Sequence, residues 1–304
     1  MYRYYDINLS KQQVQAMSPP STEQALDEAD LTKLIRSYNI PPQAHILADI
    51  QNAGDNLIKI ADIISQDVAL SSGLLQTINS PYYGLANNIS SIKQAAMLLG
   101  LNAVKNIVNC QLLHAQAGNY ENKDLSDFWQ TANEVANTAA TLVQILGFGS
   151  TDEAYTLGLF HNCGIPILME KHGDYLTTIQ SAYNSTSSRI TEIENSHYST
   201  NHAVLGYMVS RAWKLPEHLR VAIRDHHNFE RLSFKQHDYS TEADTILAIL
   251  KMAEHICHVH AVLGKDHEDN EWQAIKVGIF DFLGISEHDF EDISDTVMDK
   301  LGLY

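Results

Sequence analysis

Apolar residues recur at three- and four-residue spacing along nearly the whole chain, and the two-residue alternation of a half-buried strand is almost absent. The first predicted helix spans 22–37, with Leu26, Leu31, Leu34 and Ile35 as its apolar positions, and Ile-Pro-Pro at 40–42 then breaks the chain. Short helices are predicted at 43–52, 57–65 and 68–79, the last carrying Leu70, Leu74, Leu75 and Ile78 on one side. SPYYGL follows as a turn fixed by Pro81 and Gly84. The next helix, SSIKQAAMLLG, stops at Gly100, and LNAVKNIVNCQLLHAQ reads as a long apolar helix.

A polar interval at 118–127 divides this half from a second. Helices are predicted there at 127–147, 151–161, 164–182, 199–213, 216–228 and 241–263, with a tail pair at 269–283 and 286–301. The stretch 181–197 reads as a loop or a weak helix and 229–240 as a loop, and no repeat of fixed period is present. The pattern gives an all-α chain: a mostly helical N-terminal extension over 1–37, two closely packed helical lobes over 38–120 and 121–263, and a helical tail over 264–304.

Composition narrows the functional classes. A 304-residue chain that is 44% hydrophobic can bury a large core, and no apolar run approaches the roughly 20 residues of a membrane span. The opening MYRYYDINLSKQQ lacks the regions of a secretory signal, so the cytoplasm is the expected location. Cys110, Cys163 and Cys257 stand singly in apolar helices, which predicts reduced core thiols. With 20 basic and 37 acidic residues the formal charge is -17, and no basic patch offsets it. Neither nucleic acid nor a membrane surface is an expected partner.

Candidate chemistry lies in the second half. His202 shares a helix face with Leu205, Val209 and Trp213; His226 with Leu219, Ala222 and Ile223; Glu254 with Leu247, Leu250 and Cys257. His161 follows Leu157 by one turn. Three inward imidazoles and a carboxylate can hold a transition ion. Each can equally be a core residue satisfied by a backbone carbonyl or, for Glu254, by Arg220, Arg224 or a neutral histidine. Adjacent helical residues point about 100° apart, so of His226 and His227 only His226 is expected centrally, with His227 behind it or toward solvent.

The same residues carry a family resemblance. FWQTANEVANTAATL at 128–142, GLFHNCGIPILME at 158–170, NHAVLGYMVSRAWKLPEHLRVAIRDHH at 201–227 and ILAILKMAEHIC at 246–257 resemble the HD-related output domain, HDOD. The first half resembles it through its QDxxLSxxLLxxxNSxxYG pattern, which begins at Gln66, and the following SxxxAxxxLG. The resemblance covers roughly 38–260 and implies an HD-related bundle over 121–263 packed on an N-terminal helical lobe. It also implies a bacterial signalling protein related to metal-dependent phosphohydrolases.

In those enzymes histidines and a His-Asp pair hold divalent metal that activates water at phosphorus. Here Thr131 stands where an early histidine is usual, and the pair is His161 with Asn162. Glu254 replaces an aspartate. A hydroxyl is a poor substitute for imidazole at a dication, and an amide adds no negative charge. The resemblance therefore implies a reduced site: His161, His202, His226 and Glu254 as residual metal candidates, with Thr131, Asn162 and His227 lining the pocket. The expected function is a noncatalytic signalling or regulatory module that needs no cofactor and binds a protein partner or a small regulatory ligand. The alternative is a divalent-metal phosphohydrolase acting on a nucleotide or another phosphoester through a single ion. Tyr82 and Tyr83 offer a possible interaction surface, or simply a turn that packs the lobes.

Overall fold

The computed structural model describes residues 37–38, 45–80, 83–85, 88–116, 123–228, 242–265 and 268–303. Nearly all of the helix expected over 22–37, the loop at 229–240, Tyr82 and the side chain of Cys110 lie outside the described residues. Residues 1–39 separate as one unit and Ile40–Tyr304 as another, and the second holds all the helices from His45 onward.

Every regular element among the described residues is helical. The first half contains α1 (His45–Asn52), α2 (Leu57–Ile64), α3 (Val68–Ile78), α4 (Ile92–Leu99) and α5 (Leu101–Gln116). Its sequence pattern has a physical content. Asp67 caps α3 by accepting from the Leu70 amide at 3.0 Å, and the Ser71 hydroxyl donates to Ile64 O at 2.9 Å. Asn79 clamps the far side of the Tyr83 turn, donating to Ile89 O at 2.8 Å and accepting from its amide at 2.7 Å. Tyr83 itself is half-buried.

The second half contains α6 (Lys123–Leu146), α7 (Thr151–Phe160), α8 (Gly164–Lys171), α9 (Tyr175–Tyr183), α10 (Ile190–Tyr198), α11 (His202–Ala212) and α12 (Glu217–Asp225). It continues with α13 (Glu242–Ile256), α14 (Val259–Leu263), α15 (Asn270–Leu283) and α16 (Glu287–Leu301). The segment 164–182 is two helices parted at Gly173, and 241–263 is two helices parted at His258. The polar stretch before His202 holds α10, which ends in a left-handed Ser199.

Two helices are buried on all sides and therefore sit at the centre. All seven residues from Ala154 to Phe160 of α7 are buried, as are twelve of the fifteen in α13. Helix α7 lies against α5, α6, α12 and α13, and α13 also meets α6, α12, α14 and α15. Burying Leu157, Leu159 and Phe160 contributes roughly 1.5–3 kcal/mol each. Because α5 packs on α7, and Asn106 donates to Asp152 O at 3.3 Å, the helices before the polar interval share this centre.

Close approach at two glycines sets the geometry around His161. A Cβ on Gly158 would stand 2.7 Å from Ala136 Cα, so α7 lies directly on the small-residue face of α6. A Cβ on Gly164 would stand 2.0 Å from the backbone oxygen of His202, so the start of α8 fits beneath the start of α11. That obstacle is backbone and cannot rotate aside. G164A is expected to cost about 3 kcal/mol, the upper end of overpacking; a chemical-denaturation midpoint close to that of the unsubstituted protein would refute it.

Candidate functional site: a buried histidine cluster

The candidate residues lie at helix ends, where the chain turns side chains inward. His161 caps the C-terminus of α7, with Asn162 and Cys163 linking directly into α8. His202 is the first residue of α11, after Asn201, whose side chain accepts from the Val204 amide at 2.9 Å. His226 caps the C-terminus of α12. The helix ends there, so the 100° rule does not apply to the next residue. The rings of His226 and His227 lie 4.1 Å apart, both fully buried, so His227 belongs to the cluster rather than to solvent.

Each imidazole is anchored through Nδ1. His161 Nδ1–H donates to Gly158 O at 2.7 Å and His226 Nδ1–H to Ile223 O at 2.6 Å. His202 Nδ1 lies 2.7 Å from Glu194 Oε2, and His227 Nδ1 lies 2.8 Å from Glu271 Oε1. The Tyr175 hydroxyl donates to the other oxygen of Glu194. At His202, His226 and His227 a carbonyl or carboxylate at Nδ1 orients the ring and leaves Nε2 facing inward, whereas His161 Nε2 faces Glu254. His202 Nε2 and His226 Nε2 are 3.2 Å apart, and Asn162 Oδ1 is 3.2 Å from the latter.

Facing lone pairs repel unless a positive charge lies between them. A divalent ion supplies it, and ligand atoms of His202, His226 and His227 lie within 4.8 Å of one another. A hydrogen bond across the 3.2 Å gap between the two Nε2 atoms relieves the repulsion equally well. The donor set thus fits one ion and does not require one.

The carboxylates do not fit a two-ion centre. Lys251, one turn before Glu254 on α13, is only 3% exposed. Its Nζ lies 2.7 Å from Glu254 Oε2 and 2.9 Å from Glu271 Oε2. Glu254 Oε1 lies 3.2 Å from His161 Nε2. His161 and Glu254 therefore pair with each other beside the ammonium, while His202, His226 and His227 form the convergent group.

Protonation follows from these neighbours. Burial holds the His226 imidazole well below its ordinary value, helped by His227, His202 and Lys251. Burial does the same at His227, with Lys251 the next cause. Burial alone would raise the Glu254 carboxyl, but Lys251 and His161 bring it below the usual range. At Glu271 burial wins over Lys251 and the carboxyl is raised; at Lys251 the two glutamates outweigh burial and the ammonium is raised.

Thr131 is buried, and its hydroxyl donates back to Asp127 O at 2.9 Å. Lys251, Glu194, Glu271 and Tyr175 were not among the residues predicted. Lys251 had a signal: with Glu254 it interrupts the apolar run ILAILKMAEHIC at a three-residue spacing. Glu194 is hidden in a polar segment, and Glu271 and Tyr175 sit on helices with no motif of their own.

The HDOD domain family matches residues 40–229, well over half of the chain and the segment that supplies His161, Asn162, His202, His226 and His227. The chain belongs to the HDOD family. An uncharacterized protein of Treponema pallidum (strain Nichols) is 29% identical over 217 residues, 66% of this chain and 41% of that protein. The HDOD chain thus spans about two fifths of that relative's length. Among solved structures, an HDOD domain protein of unknown function from Geobacter sulfurreducens matches at TM-score 0.59 and 21% identity, over 90% of this chain and 98% of that one. A protein of Shewanella amazonensis SB2B provisionally named a phosphohydrolase matches at TM-score 0.61 and 22% identity, over 90% and 95%. At these identities the likeness carries the HDOD fold. Among the described residues no helix is long and apolar enough to cross a membrane.

Proposed function

We propose that this HDOD chain is a noncatalytic regulatory module in signal transduction, acting by binding a protein partner or a small ligand. The observation that carries this reading is the Lys251 ammonium between Glu254 and Glu271. A hydrolytic centre needs carboxylates free to neutralise its ions and room for a phosphoester beside them. Here Glu254 and Glu271 face an internal cation and Glu194 faces Tyr175 and His202. The cavity beside Lys251 and Glu254 measures about 20 Å³, room for about one water, while Glu271 also lines a wider groove of about 370 Å³.

A single ion at His202, His226 and His227 is a second reading, favoured by the inward Nε2 lone pairs. Such an ion would polarise a bound water. The Lys251 ammonium, which adds to burial in depressing both imidazoles, opposes a dication there.

The test is hydrolysis of p-nitrophenyl phosphate, its bis ester and nucleotides by the full chain, stripped by chelator and resupplied with Mg²⁺ or Mn²⁺. The expected rate equals that of H226A. Metal-dependent turnover that disappears in a folded H226A overturns the proposal in favour of a phosphohydrolase. Partner capture supports the binding reading if surface substitutions on the lobes weaken the interaction and H226A does not.

A further inference from the structure

A second group of donors lies outside the histidine cluster. On one continuous helix residues five apart point about 140° from each other, so His255 and His260 would not meet. They do meet because His258 adopts a left-handed conformation (φ 51°, ψ 40°) and breaks α13 from α14. The two rings are nearly parallel, with centroids 6.3 Å apart.

Asp269 faces both. Its Oδ2 is 2.8 Å from His255 Nδ1 and 3.4 Å from His260 Nδ1. Its Oδ1 accepts from the Trp272 amide at 3.0 Å and caps α15, which fixes the carboxylate's direction. The His255 ring stacks on Trp272 at 4.6 Å with an 11° interplanar angle. All three ligand atoms lie within 4.8 Å of one another, on one buried residue, His260, and two half-buried ones, His255 and Asp269.

We propose that His255, His260 and Asp269 bind one divalent transition ion of the zinc class, with its fourth position open to a groove. Two imidazole nitrogens and one carboxylate oxygen are a nitrogen-and-oxygen set suited to such an ion. Bonds of about 2.0–2.2 Å in a tetrahedron separate ligand atoms by about 3.3 Å. His260 Nδ1 already stands 3.4 Å from Asp269 Oδ2. His255 Nδ1, hydrogen-bonded to it at 2.8 Å, would give up that proton and move outward by about half an ångström on loading. His260 and Asp269 also line a groove of about 370 Å³ with Ser187, Arg189, Glu192 and Asn270, from which water or an anionic group can complete the coordination.

The ion would fasten α13 and α14 to α15, the helices that also supply Lys251 and Glu271 to the cluster. Asp269 stands two residues before Glu271, so loading this site would restrain the backbone that holds His227 through Glu271. The chain would thereby sense metal at the groove rather than at the HD-type position.

The experiment uses the full chain stripped by chelator, titrated with Zn²⁺ by calorimetry and with Co²⁺ by visible spectroscopy. The expected result is one equivalent, with the visible bands of tetrahedral Co²⁺, that D269N and H260Q each weaken at least about tenfold and H226Q leaves unchanged. D269N retains an oxygen to cap α15; if its metal-free melting shows that it unfolds, H260Q decides. No saturable binding overturns the proposal, as does binding insensitive to D269N and H260Q or abolished by H226Q alone.

Discussion

Replacing Lys251 with methionine is expected to lower folding stability by about 3–5 kcal/mol, one of the two largest effects anticipated for this chain. Methionine preserves most of the apolar stem, so the loss isolates the charge rather than the packing. With the ammonium gone, Glu254 and Glu271 face each other's field with little solvent to screen it. Removing one partner of a buried ion pair leaves an uncompensated charge, whereas removing all of them is close to neutral. K251M/E254Q/E271Q should therefore recover most of what K251M loses. Chemical denaturation of the two variants beside the unsubstituted chain gives the measurement. A K251M loss under about 1 kcal/mol, the range of an exposed pair, would mean that the ammonium is solvated, and would remove the main support for a noncatalytic centre.

The legibility of this chain in its sequence varied with how local the determining physics is. Helix positions were readable because the three- and four-residue spacing of Leu, Ile and Ala is a property of each segment alone. Breaks were less so. The parting at His258 rests on one non-glycine residue with positive φ, which no turn composition announces, and it is what brings His255 to His260. The inward faces of His161, His202, His226 and Glu254 followed from their apolar companions. Their partners did not, because pairing depends on helices far apart in sequence. Asn162 was recognisable as a neutral residue where an acid is usual, yet whether another cation replaces the metal depends on Lys251 reaching two carboxylates at once. His227 is expected at the pocket from the resemblance, but its place beside His226 is not legible in helical periodicity because the helix has already ended.

Acid is expected to unfold this protein well above the carboxylate range, and the cause is the pair His226 and His227. Both imidazoles are held below their ordinary value in the folded chain, mainly by burial. The unfolded chain takes up protons at these positions near pH 6.5 while the folded chain does not. A group with a depressed folded value stabilises the fold above its unfolded value, and this contribution is lost as pH falls from there through the folded value. Two such groups give a limiting slope of about 2.7 kcal/mol per pH unit. Glu271 opposes part of it, since its raised carboxyl is protonated first in the folded chain. Glu254, depressed, adds to the loss only below about pH 4.5. Urea denaturation in chelator between pH 7.5 and 5 should show stability falling steeply below about 6.5, and H227Q should flatten that fall by about one proton's worth, 1.4 kcal/mol per unit. A flat profile to pH 5 would mean that the two rings take up protons in the folded chain as readily as in the unfolded one, so that burial does not hold them neutral. Below about pH 6.5 protons, rather than a metal, would then separate the facing lone pairs, and the cluster would turn cationic instead of remaining a set of neutral ligands.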